Sequence, residues 1–180
     1  MTEPPLARYA IVPERSRVWA EARSTLHPIR VETPGLQGHL DAELADGEVR
    51  VGPSAQVALP VELLKSNSTL LDGELQRRLE ARKFPFIKGE LREARPLGNG
   101  RWLLRGDLSL HGRKQTMDVE VTLRQGAGGT IELEGGRVID MRNFDLDPPK
   151  LFFLKVDPEV HIRALLIGKP PAEDNKQEGP

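Results

Sequence analysis

Residues 101–123 read RWLLRGDLSLHGRKQTMDVEVTL, and this stretch decides the fold class. Trp102, Leu104, Leu108 and Leu110 fall on one parity, and Leu103, Arg105, Asp107 and Ser109 on the other. His111-Gly112-Arg113-Lys114 turns the chain. Met117, Val119, Val121 and Leu123 then alternate with Asp118, Glu120 and Thr122. Successive strand side chains point to opposite faces, so the pattern predicts two antiparallel strands with one apolar and one solvated face. The apolar face must be covered. Packed side chains over it would make a scaffold; a ligand over it would make a carrier.

The alternation continues outward from this pair. Tyr9 to Val12 reads as a short strand closed by Pro13. Ser16 to Ser24 sets Val18, Ala20 and Ala22 against Arg17, Trp19, Glu21 and Arg23. Leu36 to Leu44 alternates cleanly up to an Asp46-Gly47 hairpin turn. Val49 to Val61 is the return strand, with a break or bulge at Gly52-Pro53. Leu26 to Thr33, bracketed by Pro28 and Pro34, reads as an excursion or an edge segment. One helix is predicted over 71–80. Leu71, Leu75 and Leu79 recur on one face, acidic residues come first and Arg77, Arg78 and Arg82 last, and Pro85 ends it. Phe86 to Glu93, Thr130 to Val138 and Val156 to Ile167 complete about eight antiparallel strands. That count with one helix predicts a closed barrel or a sandwich. Only eight aromatics are present, so the interior is lined mostly by Val, Leu, Ile and Ala, which are small for the space.

Composition narrows the function classes. Lys and Arg number 26 and Asp and Glu 27. The tail from Lys169 carries two of these cations and three of the anions, so the remainder is balanced. Phosphate binding needs a basic surplus, so nucleic acid is not expected as a partner. There are no cysteines, which removes disulfides, thiolate catalysis and Cys-type zinc sites. The first residues lack an apolar signal core, and no apolar run is long enough for a membrane span; a cytoplasmic chain is the expectation. Residues 1–7 read as a lead-in, 8–168 as the barrel domain and 169–180 as a disordered tail.

Four segments together resemble the YceI-like family. They are Tyr9-x-Ile11-x-Pro13-x-x-Ser16-x-Val18; Arg82-Lys83-Phe84-Pro85 at the helix end; Gly106 to Val121; and Arg142-Asn143-Phe144-Asp145-Leu146. The resemblance spans roughly residues 8–167. Arg15 stands where relatives often have His, Asp145 where Gly is usual, and residues 148–155 also depart from the pattern. What the resemblance implies is a lipocalin-like, eight-stranded antiparallel barrel with the helix against it. It further implies a long isoprenoid or similar amphipathic lipid held along the barrel axis. The expected lining is Val18, Ala20, Leu40, Val57, Phe84, Phe86, Leu108, Leu110, Val119, Phe144, Phe152 and Ile162. No cofactor, metal or catalytic residue is expected, and a homodimer is compatible with this reading.

Other constellations read as ordinary structure. His27, His39, His111 and His161 show no metal-ligand spacing. His39-x-Asp41-x-Glu43 lies on an outward parity and reads as polar side chains facing solvent. Arg142, Asp145, Asp147 and Lys150 read as a solvated loop at a barrel mouth, and Ser66-Asn67-Ser68 as helix capping. Two other functions remain open at this stage. One is a dry β domain that works through its outer surface with a protein partner. The other is a haem or small-molecule enzyme in a barrel, with His161 as the axial ligand.

Overall fold

The computed structural model describes residues 6–148, 150–151 and 154–172. Within them lie β1 (Ala7–Ile11), β2 (Arg17–Ser24), β3 (Ile29–Thr33), β4 (Gln37–Ala45), β5 (Glu48–Pro60), α1 (Thr69–Arg78), β6 (Phe86–Gly98), β7 (Arg101–Leu110), β8 (Arg113–Gln125), β9 (Ile131–Asp140), β10 (Lys150–Leu151) and β11 (Leu154–Lys169). Eight of the strands close a ring in the order β1-β4-β5-β6-β7-β8-β9-β11 and back to β1, with antiparallel neighbours throughout. This is the expected antiparallel barrel. The Leu26 to Thr33 segment resolves as β3, paired with β2.

Closure depends on a corner. β11 pairs β9 along one edge, and along its other edge it pairs first β2 and then β1. Between β1 and β2 the chain makes an excursion through Pro13, so the ladder is interrupted there. Ser16 repairs it. Its side chain is fully buried, and its hydroxyl accepts from the Ile167 N–H at 3.0 Å. The Val12 N–H donates to the Ile167 carbonyl at 2.8 Å. The spacing from Pro13 to Ser16 is therefore the geometry of a barrel seam.

Several register shifts bend the wall, and two of them lie beside buried aspartates. β4 and β5 shift register between Leu40 and Ala42, opposite Gly52-Pro53-Ser54, where the sequence places a break. β6 and β7 shift between Leu91 and Glu93. At both places an aspartate on the outer wall is covered rather than solvated. Asp41 takes a two-pronged contact from Arg8 at 2.8 and 3.1 Å. Asp107 accepts from Arg92 at 2.7 Å and from the Thr116 hydroxyl at 2.6 Å, which ties β6, β7 and β8 together. The expectation that Asp41 and Asp107 are ordinary surface residues is corrected by this: they are 8% and 6% exposed. Asp41 is covered by Arg8, its register partner on β1, and Asp107 by Arg92, the residue bulged out of β6 between Leu91 and Glu93.

The helix begins two residues before the predicted start. Ser68 caps it by accepting from the Leu71 N–H at 3.3 Å, and Ser66 binds Asp72 through backbone and side chain. Leu71 and Leu79 are buried, while Leu75 is half-buried.

Replacing Ser16 by Ala leaves the buried Ile167 N–H without a partner. Urea unfolding is expected to show a loss of about 1–3 kcal/mol. Replacing Leu71 by Ala is expected to cost ~2–5 kcal/mol, with Leu75→Ala clearly less, because Leu75 is only half-buried.

Candidate functional site: an apolar cavity inside the barrel

The buried side chains do not form one continuous core. One cluster fills an end of the barrel around Tyr9, Leu40, Ala42, Val49, Val121, Leu123, Ile131 and Leu133, with Trp102 against it. A second, at the opposite end under α1, holds Val61, Leu79, Leu110, Phe144 and Leu146. A third, around Ala22, Val156 and Val160, shares Ile139 and Met141 with the second but nothing with the first. Domains of this size usually build one contiguous core. Here the middle is a cavity of about 460 Å³, lined almost wholly by carbon.

The sequence explains the space. None of the aromatic residues among those described lines this cavity. Tyr9, Trp102 and Phe144 belong to the end clusters. Trp19 lies outside, with the Arg163 guanidinium 5.4 Å from its ring centroid. What faces inward at mid-barrel is aliphatic or nothing. Gly89 falls between Ile87 and Leu91, Gly106 between Leu104 and Leu108, and Gly135 follows Leu133 on the same parity. At Gly89 a Cβ would lie 2.8 Å from Val57, and at Gly135 one would lie 2.7 Å from Val121. These valines thus lean over the glycines.

Of the expected lining residues, Val18, Ala20, Leu40, Val57, Leu108, Leu110, Val119 and Ile162 border the cavity. Three do not. Phe86 is 41% exposed on the outer face, because Ile87 and Leu91 set the inward parity of β6. Phe84 packs against the His111-Gly112 turn, its ring edge-on to the imidazole at 5.7 Å and 77°. Phe144 is 1% exposed in the end cluster. Phe152 lies outside the described residues. Leu71, Leu75 and Leu79 border the cavity from the helix, where the sequence reading gave them only a packing role. The inward glycines also escaped that reading, although their place in the alternation is visible once parity is followed through them.

Strand pairing in the wall changes character at two places. β3 meets the segment after β5 through the backbone pair Glu32 and Lys65, at 2.9 and 3.4 Å. The β8–β9 ladder stops at Val121 and Gly135. Beyond it Arg137 donates to the Asp118 carbonyl, and the Gln115 amide donates to the Asn143 carbonyl at 3.0 Å.

Asp145, at the end of the Met141–Phe144 3₁₀ turn, has φ 56 and ψ 31. Glycine adopts this left-handed conformation most easily, which accounts for the usual residue in the resembled motif. Arg113 pairs with the Asp145 carboxylate across the mouth. His161 is exposed on the outer wall and pairs in register with Glu21 and Val138, so it does not reach the interior as an axial ligand would. No cluster of three or more metal-ligating side chains occurs among the described residues.

A sequence profile of the YceI-like domain matches residues 9–166. The chain belongs to the YceI-like family. No curated protein matches the sequence. Among solved structures, BcnA of Burkholderia cenocepacia superposes with a TM-score of 0.74 at 18% identity, covering 88% of this chain and 99% of that one. A polyisoprenoid-binding domain from Saccharophagus degradans, implicated in plant cell wall breakdown, gives 0.74 at 13% identity, covering 93% and 100%. A Campylobacter jejuni YceI protein gives 0.64 at 13% identity, covering 79% and 85%. At these identities the likeness establishes the fold. Among the described residues no helix is long and apolar enough to cross a membrane.

Two buried carboxylates of the wall titrate low. Arg8, by hydrogen bond and charge, holds Asp41 below the usual carboxylate range. The Thr116 hydroxyl and then Arg92 do the same for Asp107. A depressed folded-state value contributes stability that is present above the ordinary carboxylate range and lost as pH falls through the folded value. Asp107→Asn is therefore expected to destabilise the barrel at neutral pH, with the gap to the parent narrowing in acid. Urea melts at a series of pH values check this, and a pH-independent gap would contradict it.

Proposed function

We propose that this protein binds and carries or sequesters a long isoprenoid or other amphipathic lipid, with the apolar chain inside the barrel. The observation that supports this best is the position and chemistry of the cavity. It lies between two packed ends, is lined almost wholly by carbon, and at about 460 Å³ falls within the range of small-molecule pockets, roughly 300–1,000 Å³. A slender chain would be held by burial, at about 25 cal/mol per Å² of apolar surface, and would need few polar contacts. The similarity to a Saccharophagus degradans domain described as polyisoprenoid-binding supports the same ligand class. The lining offers no nucleophile beside a base, so the reading is of a binding protein rather than an enzyme.

Val119 lies mid-strand on β8, between Met117 and Val121, and borders the cavity with both. Val119→Trp is expected to fill the space, lower lipid occupancy and cost less than the ~1–3 kcal/mol of an overpacked core. Solvent extraction and mass spectrometry of parent and variant, with thermal melts of both, test this. A gently purified parent that carries no lipid and takes up none, together with a badly destabilised variant, would sink the proposal.

A further inference from the structure

The helix end of the barrel is closed by elements that belong to no ladder of the ring. They are α1 with its C-terminal turn, and the Met141–Phe144 turn leading to Leu146. Leu71, Leu75, Leu79, Met141 and Leu146 border the cavity from these elements. The tip of the β7–β8 hairpin reaches them through His111, whose side chain is 15% exposed. His111 Nδ1 lies 3.0 Å from the Phe144 carbonyl oxygen, and Nε2 lies 2.7 Å from Glu80 Oε2.

Both partners only accept. A carbonyl oxygen has no proton to give, and neither does a carboxylate. Neutral imidazole carries one N–H and one lone pair, so it can satisfy one of these contacts and must oppose the other. Both contacts are satisfied only when the ring and Glu80 together hold one proton more than neutral imidazole and carboxylate do. Among the described residues the ring nitrogens have no other hydrogen-bond partner. Lys83 sits over the Phe84 ring, 5.2 Å from its centroid, and Arg113 is engaged with Asp145. The hairpin tip is suited to hold the ring in place. His111 and Gly112 have φ of 55 and 70, and Phe84 packs on both residues.

We propose that His111 is a proton-operated clamp that holds the helix end of the cavity shut. Protonated, it joins the hairpin tip to the turn that follows α1 through Glu80 and to the Met141–Phe144 turn through Phe144. When the ring loses its proton, one of the two bonds goes and the cap loosens. Lipid exchange through this end then speeds up as pH rises. The exchange part rests on the lipid-binding reading, whereas the clamp itself does not.

The test has two independent arms. In the first, ¹⁵N spectra of ring-labelled protein and amide hydrogen exchange are followed between about pH 5 and pH 8, where imidazole changes charge. Both ring nitrogens of His111 are expected to be protonated at the acid end. As the proton leaves, protection is expected to fall in α1 but not in the β6–β7 ladder. In the second, release of the uncharged probe N-phenyl-1-naphthylamine into phosphatidylcholine vesicles is timed over the same range. The rate is expected to rise about tenfold, the factor carried by one hydrogen bond to a charged group. Glu80→Gln should be slow and flat with pH, because its amide can donate to Nε2 of a neutral ring. His111→Asn, which tolerates positive φ, should be fast and flat. If α1 protection does not change with pH, or Glu80→Gln behaves like the parent, the clamp is refuted. If the probe does not bind, the lipid reading fails, and the exchange arm alone still decides the clamp.

Discussion

Closure of the ring along β11 is the constraint on which the rest of the structure depends. An open sheet of these strands would expose both its apolar face and an unpaired edge. β11 removes the edge by offering one side to β9 and the other to β2 and β1 in turn. The cost is a corner where a strand must bend without losing a buried backbone partner. Ser16 meets that need with a single hydroxyl. Once the ring is closed its perimeter is fixed, and the side chains of this sequence do not fill it at mid-height.

The cavity therefore follows from where the bulk was placed. The packed clusters at the ends hold the large side chains, and the middle holds Val, Ala, Leu and inward glycines. Stability comes from the ends and from ladder hydrogen bonds, which leaves the middle available without threatening the fold. The Arg8–Asp41 and Arg92–Asp107–Thr116 contacts, each made to a buried aspartate, serve the same division. They pin the wall from outside beside two of its register shifts.

Much of this was legible in the sequence. The alternation over 101–123 specified two strands and their inward faces, and it placed Leu108, Leu110 and Val119 on the cavity. Gly52-Pro53 marked a real bulge, and Asp46-Gly47 a real hairpin. The aromatic residues were misread for a definite reason. Apolar character alone says that a side chain is covered, and neither its strand parity nor its height in the barrel follows from its type. Phe86 lies on the wrong parity, and Phe84 and Phe144 at the wrong height. Contacts between distant segments were invisible altogether. His111 lies 31 residues from Glu80 and 33 from Phe144, and nothing in its local pattern marks it as a junction.

The outer wall has its own consequence. Its charges pair across neighbouring strands, as in Arg30 with Glu21, Arg101 with Glu120, Arg124 with Glu132 and Arg163 with Glu134. Opposite signs a few ångströms apart cancel within a Debye length, roughly 8 Å at physiological salt. With a net charge of −1, little field extends from the molecule into solution. It approaches an anionic surface and a neutral one alike, without the electrostatic steering that speeds charged encounters. Its collision rates should hardly respond to ionic strength, and discrimination among partners is left to fit at contact range.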